Sequence, residues 1–415
     1  MASHSSSPGG HPGLPISLIV WGAIGIALNV GIARFTYGVI LPSLRRDLGV
    51  DNLAGGSLNA IHLAGYLIGT LVAPTLARRT GMPRLAMGAH LLVAAGALIC
   101  AAAPSNAAGL AILTFGRVAT GLGAGAGIVA ILVLVFAAVP AQSRAFVSAA
   151  VWSGMGVAVI ASGLALSWLS EPQIGWRATF AIAAAIAIGL VLTSPRVPSS
   201  IALTATSITG SGGFAARQLA SRRWIFLTLG YLLFGIGYIA YSTFAGVRLA
   251  ATQASVTLIG AAWTAFGFAA MVGAALTVVL LNAPRLKQFA LIAALASGAL
   301  GALIAVSDAT VAALAGPLLV GLGLAATPSI VSAHIRDRCD ADEYPAAFSL
   351  VSAALGLGQL VGPVAAGALA DIFGAAIVPL FAASAYAAAA GFALLDIRWA
   401  VERKVIAGAP NDLRR

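Results

Sequence analysis

Apolar blocks of about 20 residues alternate with short polar breaks along the whole chain, the length that crosses a hydrocarbon core at ~1.5 Å rise per residue. The pattern predicts twelve helices, over 17–41, 53–77, 85–103, 109–138, 145–169, 177–194, 224–247, 256–281, 288–306, 309–333, 345–370 and 375–397. Ten-residue segments of alternating polarity are missing, which excludes a transmembrane β-barrel. The longest interior polar stretch, 195–223, divides the helices into two sets of six. The expected organisation is a disordered cytoplasmic N-terminus over 1–16, one six-helix bundle over 17–194 and a cytoplasmic central loop over 195–223. A second bundle over 224–397 and a cytoplasmic tail over 398–415 complete it.

Composition agrees. Only 8% of the 415 residues are charged, against about 25% in a soluble domain, and mean hydropathy is +0.99. The formal charge of +11 sits mostly in loops, so it sets orientation rather than pointing to nucleic acid. With the N-terminus inside, inner loops and tail hold 17 Lys/Arg and outer loops hold four, Arg45, Arg46, Arg177 and Arg248. Excess basic charge marks the cytoplasmic side, which predicts that both termini are cytoplasmic. Cys100 and Cys339 are read as isolated thiols.

The two halves echo each other. Gly116, Gly121 and Gly123 recur as Gly316, Gly321 and Gly323, offset by 200, and Phe146, Gly154 and Gly156 recur as Phe348, Gly356 and Gly358, offset by 202. Glycines match easily by chance in membrane helices, but two groups in corresponding helices favour duplication. Parallel six-helix repeats place a substrate site near the midplane between them and rock about it.

The run Gly116-Arg117-Val118-Ala119-Thr120-Gly121-Leu122-Gly123-Ala124-Gly125 resembles the fourth-helix motif of the major facilitator superfamily, and Gly175-Trp176-Arg177-Ala178-Thr179-Phe180 resembles the start of its sixth helix. Gly31-Ile32-Ala33-Arg34-Phe35-Thr36-Tyr37 with Leu41-Pro42 is similar to a bacterial branch labelled YbfB/YjiJ-type. So are Gly230-Tyr231 through Gly235-Ile236-Gly237-Tyr238 and Gly358-Gln359-Leu360-Val361-Gly362-Pro363 through Asp371. The resemblance covers essentially the whole chain. It implies an all-α polytopic fold of 12 transmembrane helices in two six-helix bundles, working by rocker-switch alternating access in a bacterial inner membrane. One loop departs from the superfamily's pattern: Ala77 stands where Gly-x-x-x-Asp-Arg-x-Gly-Arg has its acid, and the spacing to Gly81 is one residue long. A latch on that carboxylate is therefore not expected, although Arg78 and Arg79 remain. With Gly81, Gly121, Gly123, Gly362 and Pro363 they are the candidate gating residues. The fifth helix has Gly154, Gly156 and Gly163 but no proline, which weighs against a multidrug exporter.

All twelve carboxylates fall in loops, tails or helix ends, whereas Arg34 and Arg117 lie well inside helices. An arginine at a helix centre costs roughly 2.5–3.5 kcal/mol on insertion scales, so it usually faces a cavity or a partner. Counting residues places Arg34, Arg117 and His62 in one layer of the outer half, with Tyr37 a turn from Arg34 on the same face. Tyr238, Tyr241, Trp263 and Gln359 fall at similar levels in the second half. These define a candidate substrate site in which Arg34 and Arg117 hold an anion, because a guanidinium binds carboxylate bidentately and stays charged. The competing reading is that each arginine satisfies backbone carbonyls where helices cross. His62, with an unperturbed value of ~6.5, is the proton-coupling candidate; a packing role competes for it, and His90 belongs to a helix expected outside the cavity.

The stretch His334–Glu343 is read as a solvated loop rather than a metal site, and there is no Walker motif and no catalytic constellation. No cofactor is expected. The sequence therefore predicts a secondary active transporter, not an enzyme, moving a small organic anion with proton coupling or anion exchange and acting as a monomer. The alternatives are proton-coupled efflux of amphipathic compounds and, from another class, a membrane sensor or lipid-acting enzyme.

Overall fold

A computed structural model describes residues 15–166, 175–194, 224–340 and 343–408. The segment before residue 15, the central loop over 195–223 and the tail beyond 408 lie outside the described residues. Within them there are twelve long helices and no strand. In chain order they are α1 (Ile16–Leu48), α2 (Asn52–Thr80), α3 (Met82–Ala101), α4 (Ala107–Ala137), α5 (Arg144–Leu164) and α6 (Gly175–Leu192), then α7 (Ile225–Ala251), α8 (Val256–Asn282), α9 (Pro284–Ile304), α10 (Thr310–Arg336), α11 (Tyr344–Phe373) and α12 (Ile377–Gly408). Eleven are long and apolar enough to cross a membrane, and Phe289–Ile304 supplies a shorter apolar stretch in α9.

The pairing of helices repeats. In the first half α4 packs on α2 and α3, α3 on α6, and α1 on α5; in the second α10 packs on α8 and α9, α9 on α12, and α7 on α11. The repeated glycines of α4 and α10 do the same work in each bundle. A Cβ on Gly116 would meet the Gly96 carbonyl of α3 at 2.8 Å, and one on Gly316 the Gly301 carbonyl of α9 at 2.9 Å. Gly121 and Gly321 likewise lie against carbonyls of α2 (His62) and α8 (Phe266). The second set needs a correction: Gly154 packs on Ala23 of α1 while Gly358, not Gly356, packs on Leu232 of α7. Equivalence in α5 and α11 thus runs two residues beyond the offset read from sequence, because contact with the first helix of each half fixes it.

With an even number of crossings both termini fall at one end, called here the terminal end; the other is the distal end. The close backbone approaches between the bundles lie in the distal half. Along α1 and α7, a Cβ on Gly246 would sit 2.6 Å from the Gly38 carbonyl. Along α5 and α8, one on Gly163 would sit 2.6 Å from the Gly260 carbonyl. Along α2 and α11, Gly56 lies against the Pro363 carbonyl and Gly367 against that of Asn52 at 2.5 Å. Only glycine permits such spacing, which is how small residues glue membrane helices together. Further towards the terminal end, Gly356 of α11 meets α2 only through Leu67 Cδ1 at 3.5 Å.

Each bundle closes its own distal end with charge. Asp47, in the last turn of α1, accepts from Ser105 Oγ (3.0 Å), Trp176 Nε1 (3.0 Å) and Arg177 Nη1 (2.7 Å), and Arg177 Nη2 reaches the Ala103 carbonyl (2.8 Å). At the matching place in the second bundle, Arg248 of α7 donates to Asp308 and to the Val306 carbonyl. At the terminal end Arg338 pairs with Asp396 of α12 (Nη1, 2.8 Å) and Lys287 with Asp337 (2.6 Å).

Candidate functional site

The first helix is longer than its hydropathy indicates and is not uniform. Its α-helical start, Ile16–Ile26, passes into a π-helical segment, Ala27–Phe35, and resumes as α-helix over Thr36–Leu48. Pro42 lies inside that last stretch, and Gly49 ends it in the left-handed conformation (φ 62°) that a Cβ disfavours. Arg45 and Arg46, expected in a loop, therefore sit in its last turn. The apolar count misplaced the end because the chain turns polar two helical turns before its ladder stops. Arg34 is consequently 48 − 34 = 14 residues from the distal end of α1, or about 21 Å. His62 and Arg117, each 10 residues into its own helix, are at about 15 Å. The common layer expected for the three is thus staggered, with Arg34 the deepest.

π-Helical turns are rare and gather at functional positions. Here the segment presents Arg34 across the interface between the bundles. Its Nη2 donates to the Tyr238 hydroxyl of α7, and the guanidinium carbon lies 5.5 Å from the Tyr238 ring centre, 5.4 Å from Phe35 and 6.0 Å from Tyr66. Arg34 is 8% exposed, and its Nε has no hydrogen-bond partner. Rings supply about 0.5–2 kcal/mol each to a cation over their faces but carry no charge to cancel it. Phe35 continues the aromatic wall to Phe266 (6.1 Å between ring centres), and Phe266 stacks with Trp263 at 5.1 Å. Tyr238 is backed by Phe234 at 4.9 Å.

Arg117 is placed differently. Its Nη1 donates to the Ala33 carbonyl (2.8 Å), its Nε to that of Leu58 (3.4 Å) and its Nη2 to Asn59 Oδ1 (2.9 Å), over the Tyr37 ring at 4.5 Å. It ties α4 to α1 and α2, with one acceptor in the π-segment, where the backbone ladder is irregular. Asn59 passes the connection on: its Nδ2 donates to Thr243 Oγ1 of α7 at 2.8 Å, and Thr243 donates to the Ile239 carbonyl at 2.6 Å.

The other sequence candidates scatter around this centre. Tyr37 joins Arg117 rather than Arg34 and donates to the Gly55 carbonyl (2.7 Å). It and Arg34 straddle the change of helical register at Phe35. His62 is fully buried, with Nδ1 3.2 Å from Thr120 Oγ1 and Nε2 unpartnered. Tyr241 faces the distal part of its own bundle, where it lines a separate cavity. Gln359 is 7% exposed on α11, near the α11 residues Gly362 and Pro363 that form seams with α7 and α2. Arg78 and Arg79 are exposed in the last turn of α2, Arg78 bonded to Thr75 Oγ1 (3.1 Å), and Gly81 makes the turn into α3 at φ 83°.

One device was missed altogether. Asp371, in the last turn of α11, accepts from the Asn52 backbone N–H (2.9 Å), Asn52 Nδ2 (2.7 Å) and the Leu53 N–H (2.8 Å). It caps the N-terminus of α2 from the opposite bundle, where orphan N–H groups and the positive end of the helix dipole favour a carboxylate. The signal available was an acid ending one helix of the second half and an Asp51-Asn52 start to a helix of the first. Asn29, also unremarked in sequence, is buried in the π-segment with neither amide atom partnered.

Two packed six-helix bundles, joined at one end and meeting over a buried cation, define a membrane transporter of the major facilitator type rather than an enzyme. The sequence profile of the family described as "Uncharacterised MFS-type transporter YbfB" matches residues 26–395, and the chain belongs to that family. It is similar to the uncharacterized transporter YycB of Bacillus subtilis (strain 168), 27% identical over 362 residues, covering 85% of this chain and 86% of that one. It is similar over part of its length to the 4-hydroxybenzoate transporter PcaK of Pseudomonas putida, 26% identical over 182 residues, 43% of this chain and 40% of PcaK. A third similarity is to the multidrug resistance protein Stp of Mycobacterium tuberculosis, 32% identical over 142 residues, 34% of this chain and 26% of Stp. Among solved structures the fold matches a mutant of the nucleoside transporter NupG, with a TM-score of 0.73 at 12% identity, covering 92% of this chain and 100% of NupG. It also matches a bacterial homologue of the lysosomal transporter Spinster, with a TM-score of 0.67 at 16% identity, covering 94% and 98%.

Proposed function

We propose that this transporter carries a small organic anion, a carboxylate, with Arg34 as the anchor. The observation that carries the reading is the state of Arg34: a buried guanidinium at the bundle interface, ringed by Tyr238, Tyr66 and Phe35, with Nε unpartnered and no salt bridge among the described residues. A carboxylate would cancel the charge and take the free N–H, while the rings offer faces to an apolar or aromatic body. The PcaK relative, which carries a hydroxybenzoate by name, supports this class. Arg117, each of whose three nitrogens already donates to a protein acceptor, acts in this reading as a strut, and Tyr238, Trp263 and Gln359 serve as cavity residues.

In the same reading the bundles rock between states open at either end, and Arg34 exchanges Tyr238 for substrate as they part. Both termini are cytoplasmic and the membrane is the bacterial inner membrane, on the basic-residue asymmetry. The distal-closed arrangement is then the inward-facing side of the cycle. Coupling is to protons, through His62 and its unpartnered Nε2, or to a counter-anion, and the monomer suffices.

The test is counterflow in proteoliposomes with 4-hydroxybenzoate, benzoate, succinate and a lipophilic cation. Uptake of a carboxylate that falls at least tenfold in Arg34→Ala supports the reading; carboxylate uptake indifferent to Arg34 sinks it. A second reading, efflux of amphipathic compounds, is favoured by the Trp263–Phe266–Phe35 aromatic wall and the similarity to Stp. It wins if only the lipophilic cation exchanges.

A further inference from the structure

A cavity of about 300 Å³ opens at the distal end of the second bundle, bounded by the ends of α7, α8, α10 and α12. It lies within one bundle, away from the Arg34 centre. That volume falls at the lower limit of ordinary small-molecule sites. Its inner wall is apolar and aromatic, with Tyr241, Phe244, Leu258 and Pro317 among the lining residues, and its mouth carries Thr252, Gln253 and Ser255.

Two charged groups line it together. Arg248 is 6% exposed, and its Nη2 is used by the Val306 carbonyl and Asp308. Its Nε is buried with no partner. Asp308 is the opposite case, 76% exposed at the side chain, with room to accept from a second donor. The pair sums to zero charge, so a bare anion placed on Arg248 would lie beside the Asp308 carboxylate uncompensated. A solute whose own charges cancel meets no such penalty. Its carboxylate would meet the Arg248 guanidinium, its ammonium would meet Asp308, and an apolar substituent would lie on Tyr241 and Phe244.

We propose that this cavity is a second binding site, specific for the zwitterion of an α-amino acid with an apolar side chain. It differs in charge logic from the Arg34 centre, where a cation stands without a carboxylate, and it does not depend on that site's substrate.

The full-length purified protein in nanodiscs is titrated with radiolabelled L-leucine. Competitors are 4-methylpentanoate, which lacks the ammonium, and 3-methylbutylamine, which lacks the carboxylate. Saturable leucine binding is expected, with each competitor at least tenfold weaker than unlabelled leucine. Arg248→Ala is expected to weaken binding at least tenfold and Arg34→Ala to leave it intact. Because Arg248 also ties α7 to the loop before α10, Ala313→Phe provides a second variant that fills the cavity and keeps the Arg248–Asp308 pair; it too is expected to abolish binding. The proposal fails if leucine does not bind saturably, if binding survives both cavity variants, or if it is lost in Arg34→Ala instead. Equal competition by 4-methylpentanoate would also overturn it, in favour of a simple anion pocket.

Discussion

Arg34 of α1 reaches across the bundle interface to the hydroxyl of Tyr238 on α7. The protein thus places a buried charge that has no salt-bridge partner among the described residues on the surface that must part if the bundles move. A hydrogen bond to a neutral hydroxyl leaves the guanidinium charge uncancelled, so it can be exchanged for one to a carboxylate, which adds charge neutralisation and a bidentate fit. Replacing Arg34 by Ala is expected to lower carboxylate affinity at least tenfold, about 1.4 kcal/mol. Arg34→Lys is expected to recover part of that loss, because a point charge lacks the planar fork. Equilibrium binding on purified variants checks both; a Lys variant equal to wild type would show that only charge matters.

Arg117 predicts the opposite behaviour. Removing it takes a second donor from the helical Ala33 and Leu58 carbonyls and leaves Asn59 Oδ1 without its donor, at about 1–3 kcal/mol for the buried amide oxygen left unsatisfied. Arg117→Ala is therefore expected to lower the melting temperature by several degrees and reduce yield. The protein that does fold is expected to retain most carboxylate affinity. Thermal unfolding set beside binding separates the two, and full stability with lost binding would move Arg117 into the substrate site.

The Asp371 cap holds the distal seam through three bonds onto α2. Asp371→Ala is expected to populate a distal-open form. In a background without Cys100 and Cys339, a cysteine at Thr243 should then be alkylated at least threefold faster by a water-soluble maleimide. An unchanged rate would mean that the glycine contacts alone keep this end shut.

Those contacts can be tested directly. A Cβ at Gly38 would run into the Ser242 carbonyl, and one at Gly56 into that of Pro363. Gly38→Val and Gly56→Val are expected to express and unfold cooperatively yet transport at under a tenth of the wild-type rate. The bundles would then be unable to close at the distal end. Normal transport by both would show that closure does not need these approaches.

The Asp47 cluster gives a stability prediction. Asp47→Ala removes the shared acceptor of Ser105, Trp176 and Arg177 and is expected to cost about 1–3 kcal/mol. It should leave carboxylate binding intact, as melting curves with and without ligand would show.

Hydropathy alone located the helices, because the bilayer length constraint is strong, and the α4 and α10 glycines marked real interhelical contacts. Three things escaped it. The π-segment of α1 has no hydropathy signal, so regular α-helical spacing puts Tyr37 on the face of Arg34 when it belongs with Arg117. The fates of the two arginines are set by which carbonyls and amides lie opposite, and those come from other helices; Asn59 and Thr243 are unremarkable until folding joins them. Asp371 reads as an ordinary helix-end acid, since its partner is 319 positions away.

In the proposed cycle the Asp371 cap biases the empty carrier toward its distal-closed form. If the bundles rock as proposed, opening the distal mouth must break the three hydrogen bonds that tie Asp371 to the start of α2. In that cycle an unloaded molecule rests with its proposed binding centre offered to the terminal side. Apparent affinity measured from the distal face should be poorer than from the terminal face by the Boltzmann weight of that cap, although the Arg34 centre is one and the same.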